Sequence, residues 1–123
     1  MTIKTDVFDA LQALVDGRCH PSHFPQESEK PTWPAIRIAF SLRNVDDDLC
    51  GDSDDDTADL ALEVDICALD YDECQVLRGQ VRVIMKAFSP PAILESDFSA
   101  FDPDSKTERV VLEYTIYPSS PAV

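Results

Sequence analysis

The chain has 123 residues and a formal net charge of −14, from 24 acidic and 10 basic residues. This length corresponds to a single domain, residues 1–123, and the hydrophobic fraction of 44% is enough to form one core. A protein this acidic is repelled by phosphate backbones and anionic membranes, which argues against sequence-general DNA binding through a basic face.

The sequence also argues against nucleotide-binding loops, export and membrane insertion. Its three glycines lie far apart, so they cannot form a glycine-rich phosphate loop. Asp6, Asp9 and Asp16 interrupt the apolar residues of the N-terminal stretch, which therefore has neither a signal-peptide nor a membrane-spanning pattern. We expect a cytoplasmic location and reduced thiols at the four cysteines. These are Cys19, Cys50, Cys67 and Cys74.

The first predicted element is an amphipathic helix over residues 3–16. Its apolar residues recur at helical spacing, and Gly17 follows as a C-terminal stop. Residues 18–34 contain four prolines, which remove backbone donors and fix φ, so this stretch predicts an extended loop. Trp33, inside that loop, either binds a partner or folds the loop onto the core; the sequence favours neither.

Two stretches with alternating polarity, residues 35–43 and 59–69, predict half-buried strands. The outward positions include Arg37 in the first strand, and Glu63 and Asp65 in the second. If the two strands pair antiparallel, Arg37 can meet Glu63 or Asp65 on the exposed face.

A second helix is predicted from Asp70 to about residue 88. Asp70 at the cap position and Glu73 three residues later resemble a capping box, and Ser89-Pro90-Pro91 ends the apolar stripe. Residues 92–101 predict either a short edge strand or a packed loop, and residues 108–117 predict a further strand.

Together these elements predict an α+β domain. The expected sheet is antiparallel, with three to four strands and both helices packed on one face. Three connections, at residues 18–34, 44–58 and 89–107, exceed the length of ordinary loops in compact domains. Long connections on a small sheet indicate function or partner contact.

The most distinctive local feature is the acidic segment, residues 46–56. Seven of its eleven residues are aspartates, namely Asp46, Asp47, Asp48, Asp52, Asp54, Asp55 and Asp56. Three of these, with Glu63, fall at liganding positions of a calcium-binding EF-hand loop. However, Thr57 replaces the glycine that such a loop needs, and Glu63 lies in a predicted strand. We expect no metal site and interpret the segment as a solvated acidic loop that could contact a partner.

A zinc site or a cysteine nucleophile is also not expected. Cys19, His20 and His23 lie close in sequence, but they lack paired metal-ligand spacing and an evident third group to orient a base. Cys67 and Cys74 fall in a predicted strand and on a predicted apolar helix stripe, which indicates packed side chains. The sequence therefore predicts no catalytic, metal-binding or cofactor-binding residue, and no enzymatic activity.

Taken as a whole, the chain resembles the small tail-completion and tail-terminator proteins of long-tailed bacteriophages and prophages, the head–tail joining family. The resemblance covers nearly the whole chain and depends on patterns, not on catalytic signatures. The segments that carry it are Asp6–Leu11, His23–Pro25, Pro31–Arg37, Leu62–Ala68, Tyr71–Glu73 and Val111–Tyr117.

The resemblance implies a structural protein that forms a ring, expected to be a hexamer. Such a ring caps the tail tube, stops its polymerisation and presents a surface to the head–tail connector protein, while DNA passes through the lumen without specific binding. The implied partners are other copies of the chain, the tail tube protein and the connector, with no membrane. The implied location is the virion tail, after assembly in the cytoplasm of a bacterial host.

In such a ring, two sets of residues are candidates for contact. The candidate inter-subunit sheet face consists of Arg37, Arg43, Glu63 and Asp65, and the acidic segment is the candidate partner-contact loop. A negative lumen surface would also reduce sticking of DNA.

Two other functions remain as alternatives. The first is an acidic regulatory protein, such as a DNA mimic that occupies a basic site on a partner. Its carboxylates would have to follow a face with phosphate-like spacing, whereas here they cluster in one segment. The second is a calcium-stabilised module, which would depend on the segment that begins at Asp52.

Overall fold

The computed structural model describes residues 3–21, 33–43, 59–104 and 106–117. Its elements in chain order are α1 (Ile3–Gln12), a 3₁₀ turn (Ala13–Val15), β1 (Cys19–Pro21), β2 (Ala35–Arg43), β3 (Asp59–Ala68), α2 (Tyr71–Lys86), β4 (Ala92–Asp102) and β5 (Thr107–Ile116). The prediction of an α+β fold with two helices is confirmed.

The sheet differs from the prediction in strand number and direction. It has five strands in the order β1-β2-β3-β5-β4, not three to four. It is mixed, because β1 pairs parallel to β2 while the other neighbours are antiparallel. The strand β1 was predicted as loop, since three residues that end in a proline are too short to show an alternating pattern.

The edge strand β4 resolves the ambiguity over residues 92–101 in favour of a strand. It runs for eleven residues, so the predicted long connection at residues 89–107 is wrong. An irregularity between Leu94 and Ser96 shifts its register against β5. This bulge interrupts the strict alternation that identifies strands from sequence.

Both helices pack on the same face of the sheet and share one core with it. From α1 and its 3₁₀ turn, Val7, Leu11 and Val15 are buried. The predicted stop at Gly17 is confirmed, since its φ of 83° lies in the left-handed region that favours glycine. Leu112 of β5 is fully buried, whereas Ile84 of α2 packs at the margin of the core and is only partly buried.

The start of α2 follows the predicted capping pattern. The backbone N–H of Glu73 donates a hydrogen bond to the Asp70 carboxylate, at 3.3 Å. The helix ends at Lys86, two residues before the predicted limit. Among the described helices, none combines the length and apolar character needed to cross a membrane.

Candidate functional site

The face of the sheet opposite the helices carries the charged positions predicted from sequence. In the antiparallel register of β2 and β3, Arg37 lies opposite Asp65, and Ala39 lies opposite Glu63. The Arg37 guanidinium bonds to the Glu63 carboxylate and approaches Asp65 at 3.4 Å. The predicted meeting of Arg37 with these two acids is therefore confirmed.

Asp65 differs from the exposed residue that the alternation predicted. Its side chain is only 1% exposed, because guanidinium groups from both neighbouring strands flank it. Arg109 of β5 makes a bidentate contact, with Nε 3.2 Å from Oδ1 and Nη2 bonded to Oδ2. Arg109 also reaches Asp102 of β4 at 3.4 Å, so the ion-pair network joins four strands of the sheet.

The buried carboxylate affects the groups around it. The hydrogen bond to Asp65 raises the pKa of Arg109, which therefore stays charged. Burial, with Asp65 as the next cause, raises the pKa of the Cys67 thiol to about 12. Cys67 lies on the same strand, with Sγ 3.8 Å from Asp65 Oδ1. The charged groups at this end of the face therefore pair with one another inside the domain, which indicates a structural role.

Arg109 was not among the residues selected from the sequence. Its strand was predicted, but its partner was not, because the order of the strands was unknown. Once β5 is paired with β3, Arg109 lies opposite Cys67, two positions along β3 from Asp65 and on the same face. The missing signal was therefore the strand order.

The other residues predicted to make contacts fall partly outside the described structure. The backbone of Arg43 pairs with Asp59 at the end of the β2–β3 ladder. The acidic segment, residues 46–56, lies outside the described residues. Its role as a partner-contact loop stays a prediction, as does the inter-subunit role of the sheet face.

Farther along the same face, two glutamates lie directly opposite each other. Glu63 of β3 pairs in register with Glu113 of β5, beside a shallow cavity of about 270 Å³. Glu63 is neutralised by Arg37. Within the part of the chain that the structure describes, Glu113 makes no ion pair. This carboxylate is available to a cationic group of a partner.

The edge strand β4 exposes both backbone and apolar side chains. Ile93, Phe98 and Phe101 are 51%, 47% and 56% exposed. A long edge strand presents unpaired N–H and C=O groups, which can pair with a strand of another chain. The combination indicates a surface suited to protein contact.

On the helix side, a groove of about 520 Å³ lies between α2 and β4. Arg78, Arg82 and Lys86 of α2 line it. The Asp97 carboxylate of β4 accepts a bidentate contact from Arg78, with Nε at 2.9 Å from Oδ1, and lies 3.4 Å from Arg82. These residues were not predicted from the sequence. The signal that could have identified them is the spacing of the three cations, which places them on one face of the helix.

The three described cysteines and His20 show no catalytic arrangement among the residues that the structure describes. Cys19, Cys67 and Cys74 are buried, and burial raises the thiol pKa of Cys19 and Cys74 to about 11. Their thiols are protonated at neutral pH, which disfavours nucleophilic chemistry. His20 lies in β1, where burial lowers its pKa. Within the described ranges, no group of three or more His, Cys, Asp or Glu is placed to hold a metal ion.

Comparison by sequence finds no matching family model and no matching curated protein. Comparison by structure finds a similar fold in a chain from the virion of a native gene transfer agent (GTA) particle, with a TM-score of 0.62. The match covers 94% of this chain and 93% of that chain, at 9% sequence identity. At this low sequence identity, the structural match shows a shared fold over nearly the full length of both chains.

Proposed function

We propose that this protein is a structural virion assembly protein, and specifically a tail terminator. In this proposal, copies of the chain form a ring, expected to be a hexamer, that caps the tail tube and forms the head–tail joining surface. Its partners are the tail tube protein and the connector protein. Its place is the virion tail, after assembly in the host cytoplasm.

The observation that carries the proposal is the fold match with a virion chain over nearly the whole length of both proteins. Because the match spans both chains, it concerns the complete domain and not a common submotif. The resemblance of the sequence to tail-completion proteins supports the same class independently. A structural role agrees with protonated, buried cysteines and with charged clusters that are satisfied inside the domain.

The surfaces of the domain support assembly with neighbours. A closed ring needs two different contact surfaces on each copy, since its interfaces are head-to-tail. The long edge strand β4 and the three-residue strand β1 form opposite and unlike edges of the sheet. Phe98 and Phe101 add exposed apolar area to the β4 side. On the open face, Glu113 adds a carboxylate that makes no ion pair with the described residues.

The proposal is tested with purified tail tubes that lack a terminator. Addition of the purified protein is expected to stop tube growth and to place density at one end of each tube in electron micrographs. The variant Phe101→Ala removes exposed apolar area from β4, and Val76→Ala removes it from the outer side of α2 as a matched control. We expect a weaker cap with the first variant than with the second.

The same experiment separates the proposal from the DNA-mimic alternative. Tubes that keep growing, without density at their ends at any protein concentration, would refute the terminator. A DNA mimic would instead bind a basic nuclease or repressor, and that binding would weaken as salt rises.

A further inference from the structure

The groove between α2 and β4 is a concentration of positive charge in an otherwise acidic protein. Three of the chain's ten basic residues, Arg78, Arg82 and Lys86, line it at a spacing of four residues. The chain as a whole carries −14. A basic stripe in such a protein attracts an anionic partner most strongly at this point.

The structure neutralises only part of this charge. Asp97 lies beside the groove, and Arg78 holds it through two hydrogen bonds. Arg82 lies 3.4 Å from the same carboxylate and is 45% exposed. Lys86 is exposed and makes no ion pair with any residue that the structure describes. The groove therefore keeps an excess of positive charge, located at Arg82 and Lys86.

The floor of the groove is apolar. Ala92 and Leu94 of β4 form it, with Val83 of α2 and Tyr114 of β5 at its sides. Val83 is 71% exposed. An apolar floor below a cationic rim fits an acidic peptide that also carries an apolar side chain. A free phosphate or a sugar would leave the floor uncovered.

We propose that this groove binds the acidic segment, residues 46–56, of a second copy of the chain. The segment has the matching chemistry, with seven aspartates around Leu49. Its aspartates face Arg82 and Lys86, and Leu49 covers the floor at Leu94. This inference rests on the proposed ring and names the contact between adjacent copies.

The topology agrees with a head-to-tail contact. The segment connects β2 and β3 at the sheet end where Arg43 pairs with Asp59. Lys86 and Ala92 lie at that same end, since Ala92 pairs with Ile116 and Ile116 pairs with Leu60. The groove is on the β4 side of the sheet, however, whereas the segment leaves from the β2–β3 side. Copies placed side by side therefore bring the segment of one copy next to the groove of the next.

A charge-reversal experiment tests the contact in the full chain, without tails. Variant A carries Arg82→Glu and Lys86→Glu, which makes the groove negative. Variant B carries Asp54→Lys and Asp55→Lys, which makes the segment more positive. Native mass spectrometry measures self-association of each variant and of their equimolar mixture, whose mean charge equals that of the parent chain.

We expect A alone to associate at least about ten-fold more weakly than the parent chain, because its negative groove meets a like-charged segment. B alone also associates more weakly, because its segment keeps five aspartates and gains two lysines, which lowers the attraction to the groove. The mixture recovers association through one of its two pairings, because the unaltered groove of B then meets the unaltered acidic segment of A. Variant B is the sharper case, since it has less net negative charge than the parent. General repulsion would make B associate more strongly, whereas the proposed contact makes it associate more weakly.

Single reversals provide a matched control. Lys86→Glu and Lys106→Glu change the net charge equally at exposed lysines, and only the first is in the groove. The inference is overturned if these two variants associate equally, if B associates more strongly than the parent, or if the mixture of A and B does not recover. A segment that binds the groove of its own copy would also leave the mixture unrecovered.

The outcome is distinguishable from that of the proposed function. Protein that caps tail tubes while the mixture of A and B fails to recover overturns the contact and leaves the terminator intact. A mixture that recovers while tail tubes remain uncapped refutes the terminator and supports the contact between copies.

Discussion

Two aspartates of this protein are held in the same way but in different surroundings. Asp65 accepts a bidentate contact from Arg109 and lies 3.4 Å from Arg37; Asp97 accepts a bidentate contact from Arg78 and lies 3.4 Å from Arg82. The arginine partners are almost equally exposed, Arg109 at 30% and Arg78 at 31%. The carboxylates are not, with Asp65 1% exposed and Asp97 16% exposed.

The difference follows from strand position. Asp65 is on β3, the central strand, and receives arginines from strands on both sides. Asp97 is on β4, an edge strand, and receives its arginines from the helix above it. Removing one partner of a buried pair leaves an uncompensated charge, whereas a pair near water loses little. Loss of an arginine partner should therefore destabilise the protein strongly at Asp65 and weakly at Asp97.

The largest expected effect is that of Arg109→Met. This change leaves the Asp65 carboxylate buried with the longer Arg37 contact and the Cys67 thiol at 3.8 Å, and we expect a loss of about 3 kcal/mol of unfolding free energy. Urea denaturation measures the loss, provided that the dependence of unfolding free energy on urea concentration is the same for both proteins. A loss below about 1 kcal/mol would mean that the buried carboxylate is hydrated or rearranges at little cost.

The matched variant Arg78→Met should lose less. Asp97 keeps its contact with Arg82 and can reach water, so we expect a loss of about 1 kcal/mol, measured by the same denaturation. Since the two arginines are equally exposed, most of the difference between the variants reflects the burial of the carboxylate, and a smaller part comes from the additional contact of Arg109 with Asp102. Equal losses would contradict the comparison.

A pH series sharpens the comparison at Cys67, which contacts Asp65. Its pKa is raised from 9.0 to about 12 in the folded protein, so the unfolded chain releases the thiol proton first. The stability that this thiol provides is complete below pH 9 and is lost as the pH rises from 9 towards 12. Between pH 9 and 10, the unfolding free energy of Cys67→Ala should fall by about 1 kcal/mol less than that of the parent chain.

The control for this series is the interval from pH 7 to 8, where the thiol stays protonated in both states. There the difference in stability between the parent and Cys67→Ala should be constant. If the unfolding free energies of the two proteins fell equally with pH above pH 9, unfolding would release no proton from Cys67. That result would contradict a raised pKa of Cys67 in the folded protein.

The smallest expected effect is a difference in salt sensitivity. The screening length falls from about 10 Å at 0.1 M salt to about 3 Å at 1 M, and buried pairs are screened much less than exposed ones. The cost of Arg78→Met should therefore fall by a few tenths of a kcal/mol in 1 M NaCl, while the cost of Arg109→Met stays nearly constant. The reverse order would contradict the assigned burial of the two carboxylates.

The elements with strong local signals were predictable from the sequence. β2 has the predicted bounds of residues 35–43, because its alternation is uninterrupted, and α2 begins after Asp70, because its cap is local. The strand β1 was not predictable, since its pairing with β2 is long-range and parallel. The length of β4 was not predictable either, because the bulge after Leu94 interrupts the alternating pattern of that strand.

The candidate site was predictable only where neighbours were known. The contact of Arg37 with Glu63 and Asp65 followed from pairing two adjacent predicted strands. The burial of Asp65 did not follow, since alternation assigns a face but does not say what covers it. Arg109 and the Arg78–Asp97 pair depend on the strand order, in which β5 lies between β3 and β4. No local pattern in the sequence encodes that order.

The central claim, that this domain assembles into a ring, is tested most directly by sedimentation velocity over a range of protein and salt concentrations. Copies at −14 repel one another, and salt screens this repulsion more than it weakens close contacts. We predict a monomer or small oligomer in dilute low-salt solution, and a discrete larger species, with the mass of a closed ring, as concentration and salt rise. A monomer at every concentration and salt would contradict the claim.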